Sequence, residues 1–303
     1  MLKLLLTSVC QIFGIFLITF LILHLIPGDP ILVMMGESSS LADQEKLRSE
    51  LGLDKSIIEQ IINSIGQLAQ GNFGTSILTN MPIKPQLLDA MKNTYTLASL
   101  ALCIAIFFGF IGGILAAKFH GSYIDRCITN VSLFFISIPH FFLGPLLILM
   151  MSIYLGLLPV SGMESNYAII LPALTLALGL LAVIIKMTRN SMLEIINSDV
   201  VRTARAKGLP EYKVIINHAL QGGLVPVVSF LGPATAGLIG GSFVVETIFQ
   251  IPGLGRFYVE AAFNRDYTMI LGTTIFFSTL IIFFNLLSDI AVLLMNPRSR
   301  SEA

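Results

Sequence analysis

The 303-residue chain carries no formal net charge, is 55% hydrophobic and only 12% charged, and has a mean hydropathy of +0.85. Soluble domains carry about 25% charged residues, so these values exclude an ordinary soluble enzyme and give no electrostatic reason to bind nucleic acid. They describe a protein built for the lipid bilayer.

The first apolar run, Leu4–Ile26, is long enough to cross about 30 Å of hydrocarbon. Lys3 precedes it, as in a signal peptide, but the run is too long and has no small-x-small cleavage site. It reads as an uncleaved span with the N-terminus inside. Residues 27–93 form the one sizeable hydrophilic region. Ser40 with Asp43 and Ser56 with Glu59 have the spacing of reciprocal helix caps. Ile57, Ile58, Ile61, Ile62, Ile65 and Leu68 recur at helical intervals, and Gly52 and Gly71 suit helix ends. The expectation is a small extracytoplasmic helical hairpin lying against the spans, because a disordered loop would leave the isoleucine stripe without burial.

Five further spans are expected at Thr94–Ala117, Ile128–Tyr154, Tyr167–Lys186, Leu224–Ile248 and Met269–Met295. Together with the first they define an all-α, polytopic membrane protein of six transmembrane helices. Residues 94–296 form a five-helix core, 187–223 an inner loop and 297–303 a tail. Lys3, Lys118, Arg126, Lys186, Arg189, Arg202, Arg205, Lys207, Lys213, Arg298 and Arg300 then fall on the inner side. The first outer loop is acidic, and both termini are predicted inside.

Within the spans, Gly109-x-x-x-Gly113 and Gly237-x-x-x-Gly241 place small residues on one face for close helix approach. Gly237, Gly240 and Gly241, with Pro233, make the fifth span the expected place for a bend or a path-lining face; simple packing is the other reading of each glycine. Pro139, Pro145, Pro159 and Pro172 mark kinks or ends. Asp289 is an ionisable group near the inner end of the last span, and either a functional role or pairing within the bundle fits it. No ladder of acids or histidines crosses the membrane, which argues against a proton-coupled carrier, and no filter signature suggests a channel. Cys10, Cys103 and Cys127 read as small core residues rather than disulfide partners. His24, His120, His140 and His218 form no close ligand pair, and no G-x-x-x-x-G-K-[ST] occurs, so any ATP is bound elsewhere.

The chain is organised around Ser198–Gln221, a basic insert between two spans. Arg202, Arg205 and Lys207 crowd its first half, Ser198 or Asp199 is placed to cap a helix, and Gly208-Leu209-Pro210 ends it. A second short helix, Glu211–Leu220, leads back to the membrane. A DNA-binding helix pair fits poorly because both ends enter spans. A loop that only obeys the inside-positive rule explains the charges but not the glycine turn.

Arg202-Thr203-Ala204 followed by Gly208 resembles the E-A-A-x-x-x-G loop of binding-protein-dependent ABC importer permeases. Arg202 replaces the family's Glu, Thr203 its first Ala, and His218-Ala219-Leu220-Gln221 its I-x-L-P. His24–Pro30, Gly71–Ser76, Glu246-Thr247, Ile251–Arg256, Asn264–Tyr267 and Asn296-Pro297-Arg298 resemble, in family order, motifs of the oligopeptide/dipeptide permease group, most closely its B-type subunit. The resemblance implies that Arg202, Thr203, Ala204, Arg205, Ala206, Lys207, Gly208 and Leu209 form a cytoplasmic helix that couples to an ATPase. It implies that Pro252, Gly253, Gly255 and Arg256 shape a re-entrant outer loop near a docked receptor; locally, this stretch is turn chemistry with Pro fixing φ and Gly permitting positive φ.

The implied function is one half of the path of an ATP-driven oligopeptide importer in the bacterial cytoplasmic membrane. Its partners would be a second, homologous permease, two ATP-binding subunits, an extracytoplasmic substrate-binding protein, the peptide and membrane lipids, with no cofactor bound by the chain itself and no nucleic acid. A dipeptide, nickel-chelate or glutathione importer shares the same motifs, and an ion-coupled secondary carrier is the rival from another class. A membrane-embedded enzyme would need paired carboxylates or metal-ligand spacing that the spans lack.

Overall fold

A computed structural model describes residues 2–25, 30–35, 40–50, 52–163, 165 and 167–295. The helices are α1 (Leu2–Leu25), α2 (Pro30–Met35), α3 (Leu41–Glu50), α4 (Ile57–Ala69), α5 (Ile83–Lys118), α6 (Tyr123–Ser137), α7 (His140–Leu147), α8 (Ile170–Ile196), α9 (Asp199–Ala206), α10 (Glu211–Val214), α11 (Leu220–Ile248), α12 (Leu254–Phe263) and α13 (Tyr267–Met295). Wider π-helical turns extend α7 over Ile148–Tyr154 and join α10 to α11 over Ile215–Ala219. Among the described residues the sole β pairing is one bridge between Thr75 and Pro82.

Segments of α1, α5, α8, α11 and α13 are long and apolar enough to cross a membrane, and a sixth span arises if the bent pair Tyr123–Ser137 and His140–Tyr154 counts as one. That pair is where the predicted third span, Ile128–Tyr154, departs from a continuous helix: the chain turns by 108°. The cause is local. Pro139 takes an extended ψ of 146° and Ile138 before it takes ψ 120°, as a residue preceding proline prefers. Other bounds also shift. The second span's helix begins at Ile83, because Pro85 in the first turn has no helical N–H to lose. The fourth runs on to Ile196, and the predicted short helix Glu211–Leu220 is continuous with the fifth span.

The chain divides into two compact units. The first comprises residues 1–93 and 252–282. Its core joins Phe16 and Phe20 of α1, Ile275 and Leu271 of α13, and Ile61, Ile65 and Leu68 of α4. The Ser56–Glu59 capping box forms, with Glu59 N donating to Ser56 Oγ at 3.4 Å and Ser56 N to Glu59 Oε2 at 3.3 Å. Gly52 and Gly71 end α3 and α4 at φ +67° and +70°. The isoleucine stripe is only half buried, contrary to expectation: Ile57, Ile58 and Ile62 remain exposed. The groove on α1 and α13 is narrower than the apolar arc of α4.

The second unit comprises residues 94–251 and 283–303. Leu97, Ala101 and Ala105 of α5 pack with Leu171, Leu176 and Ile184 of α8 and with Val227, Leu238 and Val245 of α11. Gly109 and Gly113 make the expected close approach. A β-carbon at Gly109 would lie 2.6 Å from Ile184 Cγ2, and one at Gly113 would lie 2.5 Å from Thr188 Cβ. Gly237 does not: nothing lies within 4 Å of its β-carbon position. Cys10, Cys103 and Cys127 are free and exposed rather than in the core, since a span's outer face meets apolar solvent too.

Candidate functional site

Helix α9 sits on a small apolar cluster. Its Val201 and Ala204 are buried against Ala117 at the end of α5, Met192 of α8, Val214 of α10 and Ala219. The periodicity that buries Val201 and Ala204 turns Arg202, Thr203, Arg205, Ala206 and Lys207 outward. Ser198 occupies the cap position, but its hydroxyl does not cap α9 as expected. It donates backwards to Ile195 O at 2.7 Å, satisfying a carbonyl freed at the end of α8.

The helix stops as the sequence predicts. Gly208 adopts φ +74°, and Gly208 N and Leu209 N donate to Arg205 O and Ala204 O at 2.9 and 3.4 Å. The two arginines are not free charges. Arg202 Nη1 meets Asp199 Oδ1 at 3.2 Å, and Thr203 Oγ1 donates to Asp199 O at 2.8 Å. Arg205 reaches across the glycine turn to Glu211, with Nη2 on Oε1 at 2.6 Å and Nε on Oε2 at 3.2 Å. That two-pronged bond holds the Glu211 carboxyl below the usual glutamate range and raises Arg205 above its own. What the loop leaves uncovered is Val200 and Tyr212, each 62% exposed, and Leu209 beside Lys207.

A buried ion pair joins α6 to α8, and sequence reasoning passed over it. Arg189 of α8 donates through Nε to Asp125 Oδ1 at 2.6 Å and through Nη2 to Oδ2 at 2.8 Å. Gly121 N donates to Asp125 Oδ2 at 2.9 Å and Thr129 Oγ1 to Oδ1 at 3.3 Å, with His120 Nδ1 3.2 Å from Oδ2. Asp125 was legible as the one acid among the bases beginning the third span.

Within the first unit, the motif Gly71–Ser76 meets the motif Asn264–Tyr267. Buried Asp266 accepts from Ser76 Oγ at 2.5 Å, Ile77 N at 3.3 Å and Met269 N at 3.0 Å, so it caps α13 while clasping the loop. Gly74, at φ +80°, lies so close that a β-carbon there would be 2.9 Å from Thr268 Cγ2. His24 of the first motif bonds through Nε2 to Gln60 Oε1 at 3.1 Å. The stretch 26–29 and the Asn296-Pro297-Arg298 motif lie outside the described residues.

The Pro252–Arg256 stretch is built differently from the turn expected. Gly253 is extended at φ −106° and caps α12, and Gly255 lies within that helix. The left-handed position falls on Gln250, φ +54°, closing α11 through Ile251 N to Glu246 O at 2.8 Å. Pro252 O accepts from Asn93 Nδ2 at 2.9 Å, and Arg256 Nε bonds Glu260 Oε1 at 2.6 Å. Glu246 of the same motif region is fully buried and accepts from Thr94 Oγ1 at 2.7 Å.

Gly237 and Gly240 have open β-carbon positions, whereas that of Gly241 lies 3.9 Å from His140 Cδ2 and from Leu176 Cδ2. With Pro233, Val244 and Thr247 the first two form an exposed stripe on α11. The side chain of Asp289 lies outside the described residues. Among those described, no group of three His, Cys, Asp or Glu is placed to hold a metal ion.

Long apolar helices with a short two-helix loop between two of them are the architecture of a polytopic membrane protein, and the comparisons say of which kind. Residues 109–301 match the family described as binding-protein-dependent transport system inner membrane component, and residues 1–98 match its N-terminal counterpart. The chain belongs to that family. It is 36% identical to the oligopeptide transport system permease protein AppB of Bacillus subtilis (strain 168), covering 97% of this chain and 96% of that one. It is also 36% identical to the dipeptide permease DppB of Escherichia coli (strain K12), with 95% of each covered. The glutathione permease GsiC of the same strain is 36% identical, with 98% of this chain and 97% of that one covered.

Among solved structures, the inward-facing methionine ABC transporter MetNI aligns with a TM-score of 0.61 at 18% identity, covering 70% of this chain and 96% of that one. An amino acid ABC transporter aligns at 0.55 and 15%, covering 68% and 92%. These two share the fold. The chain is therefore a multi-pass permease subunit of an ABC importer, a transport protein and not an enzyme. As such it works with an ATPase and a substrate-binding protein.

Proposed function

We propose that this chain forms one half of the translocation path of an oligopeptide importer, and that α9–Gly208–α10 is its coupling element. The observation carrying this reading is the seat of α9 on the cluster of Ala117, Met192, Val214 and Ala219, which touches three span ends at once. A displacement of α9 is felt by α5, α8 and α11 together. The apolar residues left uncovered, Val200, Leu209 and Tyr212, supply the contact with an ATPase groove. Arg202, Arg205 and Lys207 frame it.

In this arrangement both termini and loop 187–223 are cytoplasmic, hairpin 27–93 is outside, and residues 94–296 form the moving core. A second, homologous permease covers the α11 stripe of Pro233, Gly237, Gly240 and Val244, where open glycine positions allow close approach. Two ATPase subunits bind ATP and close, and the coupling helices carry that closure to the spans, switching the path between inward- and outward-facing states. An external binding protein selects and delivers the substrate. Oligopeptides are favoured by the relative AppB, with dipeptides and glutathione as the alternatives its other relatives suggest.

Replacing Val200 with Glu and Tyr212 with Ala tests the coupling role without touching the apolar seat. Both variants should reach the membrane at normal abundance, recover less ATPase subunit on purification, and lose ATP-driven uptake of a labelled oligopeptide. Normal recovery and uptake in both would remove the loop from this role. Orientation is tested separately: a cysteine at Asn63, on the exposed polar side of α4, should react with an impermeant thiol reagent from outside, and one at Ser198 only after the membrane is opened.

A further inference from the structure

We propose that α4 is embedded in the lipid leaflet at the C-terminal end of α1, with Ile58 and Ile62 against acyl chains. The hairpin is then anchored in the bilayer rather than standing free in water. At about 100° per residue, Ile61, Ile65 and Leu68 share one sector of the helix, and Ile58 and Ile62 form the adjoining flank. The first sector is packed on Phe16, Phe20, Leu271 and Ile275. The flank is bare, with Ile58 70% and Ile62 62% exposed. Glu59, Asn63 and Gln67 occupy the far side.

Depth follows from the partners on α1. The apolar span there is Leu6–Leu25, so Phe20 and Phe16 lie roughly 7 and 14 Å below its end at 1.5 Å per residue. A helix packed on those rings is at hydrocarbon depth, within a core about 30 Å thick. The outward side of α1 is apolar as well, with Ile18, Leu21, Ile22 and Leu25 exposed, and the His24–Gln60 bond at 3.1 Å ties the last turn of α1 to the first turn of α4. An amphipathic helix whose apolar arc exceeds its protein groove, with a polar opposite face, has the design of an interfacial helix. The placement holds whichever side of the membrane the hairpin faces; in the orientation proposed above it is the outer leaflet.

The chain contains no tryptophan, so one introduced residue reports alone. Ile62→Trp, Ile58→Trp and, on the polar face, Asn63→Trp would each be placed in the full chain. The chains would be reconstituted in plain phosphatidylcholine and in phosphatidylcholine brominated on its acyl chains. The expected result is strong loss of fluorescence in brominated lipid for both isoleucine positions and none for Asn63→Trp; the more exposed Ile58 serves if Ile62→Trp misfolds. Equal fluorescence in the two lipids at both isoleucine positions overturns the proposal. Red-shifted emission would then mean a solvated flank, and blue-shifted emission a flank covered by protein. Neither outcome bears on the coupling loop.

Discussion

Ser76 donates its hydroxyl to the carboxylate of Asp266 at 2.5 Å, across 190 residues of chain. Asp266 also receives Ile77 N and caps the last span through Met269 N. One buried carboxylate thus fixes both the loop after α4 and the start of α13. Hydrogen bonds to charged groups contribute about 1.5–3 kcal/mol each. Asp266→Ala should lower stability by at least about 3 kcal/mol, and Ser76→Ala by about 1.5–3. Thermal unfolding of the purified chain, with proteolysis mapped over residues 71–82, measures both. An unchanged midpoint for Asp266→Ala would show that the clasp is dispensable.

The turn at Gly208 offers a separable test, because nothing lies within 4 Å of its β-carbon position. A side chain there meets no clash, only the cost of φ +74°, which is about 1–3 kcal/mol for a β-branched residue. Gly208→Val should therefore reach the membrane yet lose uptake, while Gly208→Asn, which tolerates the left-handed region, should retain most of it. Equal uptake in the two variants would sever the link between turn geometry and transport.

The Arg205–Glu211 pair bridges that same turn, and its exposure limits it to about 1 kcal/mol. Because Arg205 holds the folded Glu211 below its unfolded value, the unfolded loop binds protons first as pH falls. The pair's contribution is full at neutral pH, begins to fade through the ordinary glutamate range, and is gone once pH passes below the depressed folded value. Hydrogen-exchange protection of the loop amides, corrected for the intrinsic rate at each pH, should fall on acidification in wild type but not in Glu211→Gln. Swapping the two residues should restore wild-type protection at neutral pH, whereas Arg205→Glu alone should not.

Two glycine motifs that look alike in sequence should behave differently on substitution. Gly113→Leu drives a side chain into Thr188 and the backbone at Ile185, whose O would be 2.9 Å from the β-carbon. Yield of the isolated chain should collapse. Gly237→Leu points into open space and should leave the isolated chain's yield and melting unchanged while weakening association with the proposed second permease. Loss of the isolated chain in both variants would mean that Gly237 packs within the chain.

Most of the architecture was legible because hydropathy and helical period are properties of short windows. The spans, the α4 cap at Ser56 and the stops at Gly52, Gly71 and Gly208 all depend on neighbours in sequence. The Arg205–Glu211 bridge was missed although six residues separate the pair, since it needs the turn's three-dimensional path. Asp125–Arg189 and Ser76–Asp266 were missed for the opposite reason: each joins distant segments, and only the motif positions hinted at Asp266. The Pro252–Gly255 turn was misread because glycine is able to take positive φ without being obliged to. There the left-handed residue is Gln250, dictated by the helix that ends before it.

The 108° break at Pro139 bears on how the chain is made. The 15-residue α6, and the 15 residues of α7 with its π-helical extension, each reach about 22 Å at 1.5 Å per residue. Neither meets the length of about 20 residues that a lone span needs. A segment so divided is expected to integrate only once a later helix is present to receive it. That helix is α8, whose Thr175 carbonyl accepts the His140 ring at 3.1 Å and whose Gly179 leaves room for it. Membrane integration of the third span is thus expected to wait on the fourth, and ribosome-bound chains ending before Ile170 should leave residues 123–154 extractable.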